Sequence, residues 1–213
     1  MAQRATVILV IVVLAAGCGT VGQLSRMRRD AAAENYRAIT AEEVTCTQGE
    51  RGCNQVHLIK GDACFRLAAG GEPGRWDCAI EQLALGIDTT EGTTTEMGST
   101  QPYYENLLEA LRQRRDLSRS RAEAAPFTAQ LETRAQAFHQ AFPTAPAGYY
   151  YLASAQLTRA LDPNTAPDAA CRTLNDAQSL LARAPAERGR YAASLQRVEA
   201  DIRGAKSTVR GCV

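Results

Sequence analysis

Charge of one sign is the first thing this chain lacks: 24 Lys and Arg stand against 23 Asp and Glu, a formal net charge of +1. A nucleic-acid binder needs a basic excess or a concentrated basic face, so no nucleic-acid partner is expected. Catalytic constellations are missing as well. There are two histidines, His57 and His139, on separate predicted helices, and each reads as a partly exposed helix residue rather than a base or ligand. The glycines of Gly70-Gly71-Glu72-Pro73-Gly74 lack the lysine and Ser/Thr of a phosphate loop, so they read as a helix-connecting turn. Glu42 and Glu43 are adjacent and would point apart on a helix, which rules out a working carboxylate pair. No catalytic residue, metal site or cofactor is assigned, and the chain is not expected to be an enzyme. Few segments read as strands.

What is present begins at the N-terminus. Arg4 precedes the apolar run Ala5 to Ala16, the pattern of a secretory signal, and the run falls short of the roughly 20 residues a spanning helix needs. Ala15-Ala16-Gly17-Cys18 then resembles the lipobox of bacterial lipoproteins, with Ala15 where that family usually has leucine and Leu14 one place early. The resemblance implies cleavage of residues 1–17 and acylation of the Cys18 thiolate, the nucleophile that accepts diacylglycerol. Two or three acyl chains, palmitate among them, would anchor the protein stably. Gly19 replaces the aspartate of the inner-membrane retention signal, so the expected place is the periplasm-facing cell envelope, at the outer membrane. An ordinary signal peptide with an incidental cysteine, or an uncleaved anchor, is the alternative.

Six further cysteines, Cys46, Cys53, Cys64, Cys78, Cys171 and Cys212, are an even set bound for an oxidising compartment, which suits up to three disulfides. Six cysteines allow fifteen pairings, among which sequence does not choose. Nearest-neighbour pairing gives Cys46 with Cys53, Cys64 with Cys78 across a helical hairpin, and Cys171 with Cys212. Four cysteines within residues 46–78 would also be soft metal ligands, but no Cys-x-x-Cys pair is present and zinc ligands usually come at two to four residue spacing.

The organisation predicted along the chain is a flexible tether at 18–30, then a helical domain over 31–213 with a linker near 89–101 rich in threonine. Helices are expected over 31–39, two short ones flanking the turn at 70–74, one after Pro102, one over 128–142, one over 147–157, one over 169–184 capped by Asp168, and one over 186–204. Val56, Ile59, Cys64, Leu67 and Ala68, then Trp76, Ala79, Ile80, Leu83 and Ile87, form one apolar stripe on each helix of an antiparallel hairpin.

Ala79, Leu83 and Gly86 fall where the second helix of a tetratricopeptide repeat has its small, large and small residues, while Gly61 and Cys64 match the first helix. Leu152-Ala153 within 147–157 resembles a second such helix. The fold class expected is therefore all-α, antiparallel helical hairpins resembling tetratricopeptide repeats and braced by disulfides. That resemblance implies a concave surface that binds a protein partner, and hence a scaffold or assembly role in an envelope complex. The candidate contact residues are Tyr149, Tyr150, Tyr151, Tyr103 and Tyr104, because successive helix residues point about 100° apart and not all three consecutive tyrosines can face one core; packing between repeats is the alternative reading of the same rings. The arginine-rich stretch 112–121 reads as a solvated face that could receive an acidic partner. The alternative function is a lipid-anchored accessory that binds a small ligand for a periplasmic solute transporter.

Overall fold

The computed structural model describes residues 19–209 and 212; residues 1–17, expected to form a signal peptide, and Cys18 lie outside them. Among the described residues the chain is all-α apart from one short hairpin. It divides into two compact units, Met1–Ala110 and Leu111–Val213. The division falls inside a helix rather than at the linker expected near 89–101, which instead folds as β1 (Thr94–Thr95) paired antiparallel with β2 (Gly98–Ser99).

Unit 1 opens with α1, helical over residues 19–32. This corrects the expected flexible tether at 18–30. Leu24 is 8% exposed and Met27 is fully buried, in a cluster with Ile39, Val56, Ile59 and Ala63. Each such side chain contributes about 1.5–3 kcal/mol on burial, more than a solvated tether can offer. Buried Gln23 spans the same seam by donating to the Glu43 carbonyl and accepting from the Thr45 amide. Then α2 (Tyr36–Ala41) makes a short second element.

The centre of the unit is α3 (Cys53–Ala69) and α4 (Trp76–Asp88), separated by a 3-10 turn at Pro73–Arg75. Their pairing is antiparallel, because contacts ascend one helix as they descend the other. Asn54 donates to Thr90, Leu58 meets Gly86, Gly61 meets Leu83, and Cys64 is bonded to Cys78. The approach is close enough to require glycine: a Cβ at Gly61 would stand 2.6 Å from Leu83 Cγ, and one at Gly86 would stand 2.7 Å from Leu58 Cγ. Two leucines thus fit into two glycine gaps reciprocally, the close packing that the small residues at 61 and 86 imply.

The next helix, α5 (Gln101–Asp116), carries the division between the units. In unit 1 its Asn106 donates to Asp62 on α3. In unit 2 its Arg115 donates to Thr158.

Unit 2 continues with α6 (Arg121–Ala141), α7 (Pro146–Ala160), α8 (Pro167–Ala182) and α9 (Ala192–Thr208). Helix α6 begins seven residues before the expected start at Thr128, because Ser120 caps it by accepting the Glu123 amide; Pro126 lies inside the helix and removes one backbone hydrogen bond there. Helix α8 starts on Pro167 with Ala166 at the cap, so Asp168 is a first-turn acid and not the capping residue. Consecutive helices again pair antiparallel: Glu132 with Arg159 and His139 with Gly148 join α6 to α7, while Gln178 with Lys206 and Cys171 with Cys212 join α8 to α9. Packing places α7 against α6, α8 and α9.

All three disulfides are the nearest-neighbour pairs: Cys46–Cys53, Cys64–Cys78 and Cys171–Cys212.

Candidate functional site

Of the five candidate tyrosines, three are buried and two are partly exposed. Tyr149 is 8% exposed and Tyr151 only 2%, although they point in nearly opposite directions from α7. Both are covered because α7 has neighbours on more than one side. The Tyr149 hydroxyl donates to the Pro143 carbonyl and its ring stands edge-on to His139. Tyr150 is half-buried, with its ring 4.7 Å from that of Tyr151 and 5.9 Å from that of Tyr191. Tyr104 is buried, and half-buried Tyr103 has a phenol pushed up by desolvation. Of the two readings of these tyrosines, core packing fits Tyr104, Tyr149 and Tyr151, while Tyr103 and Tyr150 stay partly exposed. The arginine-rich face is also engaged, with Arg112 and Arg115 on Asp116, and Arg114 on Glu123 and over the Phe127 ring.

An open groove of about 570 Å³ lies elsewhere in unit 2, on a floor of Ala124, Ala125 and Ala129 from α6 and Leu161 beyond α7. Small side chains on α6 leave this space, and Leu161 stays 53% exposed. The wall is fixed by the turn that ends α7. Asp162 Oδ1 accepts the Asn164 amide, and the Thr165 hydroxyl donates to the Arg159 carbonyl. One rim carries the Arg159–Glu132 ion pair at 2.7 Å. An apolar floor with a polar, hydrogen-bonding rim is the arrangement that recognises a side chain or a short peptide segment.

A second cleft in unit 2, about 420 Å³, is polar: Gln136, His139, Gln156, Asp176, Ser179 and Arg183 line it. His139 Nδ1 and Gln156 Oε1 are buried there without a hydrogen-bond partner. Burial, and then the Arg183 charge, holds the His139 imidazole below its ordinary value, which favours the neutral ring.

A cleft of about 370 Å³ in unit 1 is lined by Glu50, Cys53, Asn54, His57 and Thr90 among others. Its mouth is shaped by the loop from Cys46 to Cys53, where Gly49 and Gly52 take φ of 93° and 86°, conformations that favour glycine. Thr20 and Thr47 both donate to Glu50, and these bonds, Thr20 first, hold its carboxyl below the usual range. Here the sequence reading missed a feature it had the means to find: Cys53 and His57 are four apart on one helix and share a face. His57 also meets Gln82 at 2.8 Å.

No family model matches the chain, and no curated protein or solved structure matches it significantly.

Proposed function

We propose that the mature chain is a non-catalytic, lipid-anchored scaffold of the bacterial cell envelope, and that it binds a segment of a partner protein in the apolar-floored groove of unit 2. The groove carries this reading: an exposed Leu161 beside three alanines, framed by a rigid turn and an ion pair, offers apolar burial with a polar rim. Two further features support it. Three disulfides suit an oxidising compartment, and Ala15-Ala16-Gly17-Cys18 resembles a lipobox that would direct the chain there. Because α1 is already helical at residue 19, a lipid on Cys18 would hold unit 1 directly at the bilayer surface, without an intervening tether. The antiparallel hairpins give the tetratricopeptide-like reading its structural support. In the test, wild type and Leu161→Asp are purified from mildly crosslinked envelopes. Partner recovery falls at least tenfold in the variant if the groove is the contact, and is unchanged if it is not.

The small-ligand reading is favoured by one specific observation, the partnerless His139 Nδ1 and Gln156 Oε1 in the polar cleft. A small molecule retained by the native chain and lost in Gln156→Leu, with no protein partner recovered, would replace the scaffold reading.

A further inference from the structure

Cys46, Cys53 and His57 present three soft ligand atoms within 4.8 Å of one another, the one cluster of three or more His, Cys, Asp or Glu side chains so disposed among the described residues. Cys53 is the first residue of α3 and His57 sits one turn later on the same face. Cys46 returns over that turn through the glycine-containing loop. The imidazole is fixed from the α4 side. An amide oxygen only accepts, so the contact with Gln82 Oε1 places the proton on Nδ1 and leaves the Nε2 lone pair free. Histidines that bind metals are oriented in this way, by a hydrogen bond to the other ring nitrogen.

We propose that this cluster is a redox-gated site for one soft cation, Cu(I) or Zn(II), closed while Cys46 and Cys53 are joined and opened when an external dithiol reduces them. A thiolate of the dithiol attacks Sγ of Cys46, which is the less buried of the two sulfur-bearing residues. The S–S bond breaks and Cys53 leaves as a thiolate at the first position of a 17-residue helix, where the helix dipole favours negative charge. The second thiol of the reagent displaces Cys46 and forms the reagent's own disulfide. Two electrons and two protons pass to the protein, and no other reactant is needed. The cation then displaces the two thiol protons, with His57 as the neutral third donor. Two thiolates and an imidazole satisfy three-coordinate Cu(I), and Zn(II) would add a water. Metal bonds of about 2.0–2.3 Å put ligand atoms about 4 Å apart, so the two sulfurs must move apart once their bond is broken, while His57 already lies within reach. The partial exposure of Cys46 admits the reagent, and the neighbouring cleft gives the ion a path to Cys53 and His57. Cys64, by contrast, is fully buried.

The test uses the full mature chain. It is treated with graded dithiol, its free thiols are alkylated and mapped by mass spectrometry, and Cu(I) is titrated against bicinchoninate as competitor. The expected result is that Cys46 and Cys53 alkylate first with helical circular dichroism retained, that the reduced chain takes up one equivalent of Cu(I), and that Cu(I) shields both thiols from alkylation. His57→Ala weakens uptake at least tenfold and Cys46→Ser/Cys53→Ser abolishes it. The proposal is overturned if the reduced chain takes up no Cu(I), if uptake is equal in wild type and His57→Ala, if it persists in the double serine variant, or if the disulfide opens only as helicity is lost.

Discussion

The two units solve the same problem, holding short helices together, by different means. In unit 1 the α3–α4 pair interlocks through Gly61 with Leu83 and Gly86 with Leu58, and its two disulfides span only 7 and 14 residues. In unit 2 the Tyr149 ring of α7 stands edge-on to His139 of α6, and one disulfide spans 41 residues. Close glycine packing leaves little space between helices. Unit 2 holds the groove beside Leu161, lined on α6 by three alanines, and the cleft with two partnerless polar atoms. The contrast is one of packing: glycines let two helices of unit 1 close on each other, while unit 2 relies on a long disulfide to tie its last helices together.

The largest effect expected from breaking that contrast is loss of the long disulfide. Loop-closure entropy gives about 4 kcal/mol for the 41-residue span, about 3 for the 14-residue span and about 2 for the 7-residue span. Urea unfolding of Cys171→Ser/Cys212→Ser, with hydrogen exchange read separately in each unit, should therefore show the greatest loss, concentrated after residue 111. An equal or larger loss from Cys46→Ser/Cys53→Ser would reverse the ordering.

Glycine substitutions should then act with opposite sign in the two units. Gly61→Ala forces a Cβ to 2.7 Å from the Leu83 backbone nitrogen and should cost about 1–3 kcal/mol. Gly204→Ala, on α9 with nothing within 4 Å of its added carbon, should stabilise by up to about 1 kcal/mol through helix propensity. Thermal melts of the two variants check the pair directly.

Acidification sharpens the comparison further. The folded-state value of His139 lies below its unfolded value, so the unfolded chain takes up protons first. Stability of unit 2 is therefore greatest above pH about 6.5 and declines as pH falls through that value and toward the depressed one. The decline should disappear in His139→Gln, monitored by urea midpoint against pH. The smallest effect belongs to the Glu132–Arg159 pair. With Arg159 half exposed, Glu132→Gln should cost no more than about 1 kcal/mol in unfolding measurements.

Much of the fold can be read from the residues. The apolar stripes of α3 and α4, the small residues at 61 and 86, and the pairing of neighbouring cysteines all rest on local spacing. Helix α1 escapes such a reading because part of its buried face is polar. Thr20 and Gln23 are 3% and 1% exposed, satisfied by Glu50, Glu43 and Thr45, and apolar periodicity is blind to residues buried in that way. Packing and binding stay unresolved for Tyr149 to Tyr151 in the sequence for a topological reason: a helix with several neighbours has no single buried face, and its neighbours cannot be counted from the sequence. The groove at Leu161 has no sequence signature, since alanines 124, 125 and 129 read simply as helix formers. Cys53 and His57, by contrast, were legible at helical spacing.

The scaffold reading is tested most directly by placing a photo-crosslinking side chain at position 161 in the full chain, with position 150 as the internal comparison, and irradiating intact envelopes. The account predicts one discrete protein adduct from position 161 and little from the half-buried position 150. No protein adduct from position 161, or an equal one from both positions, would contradict it.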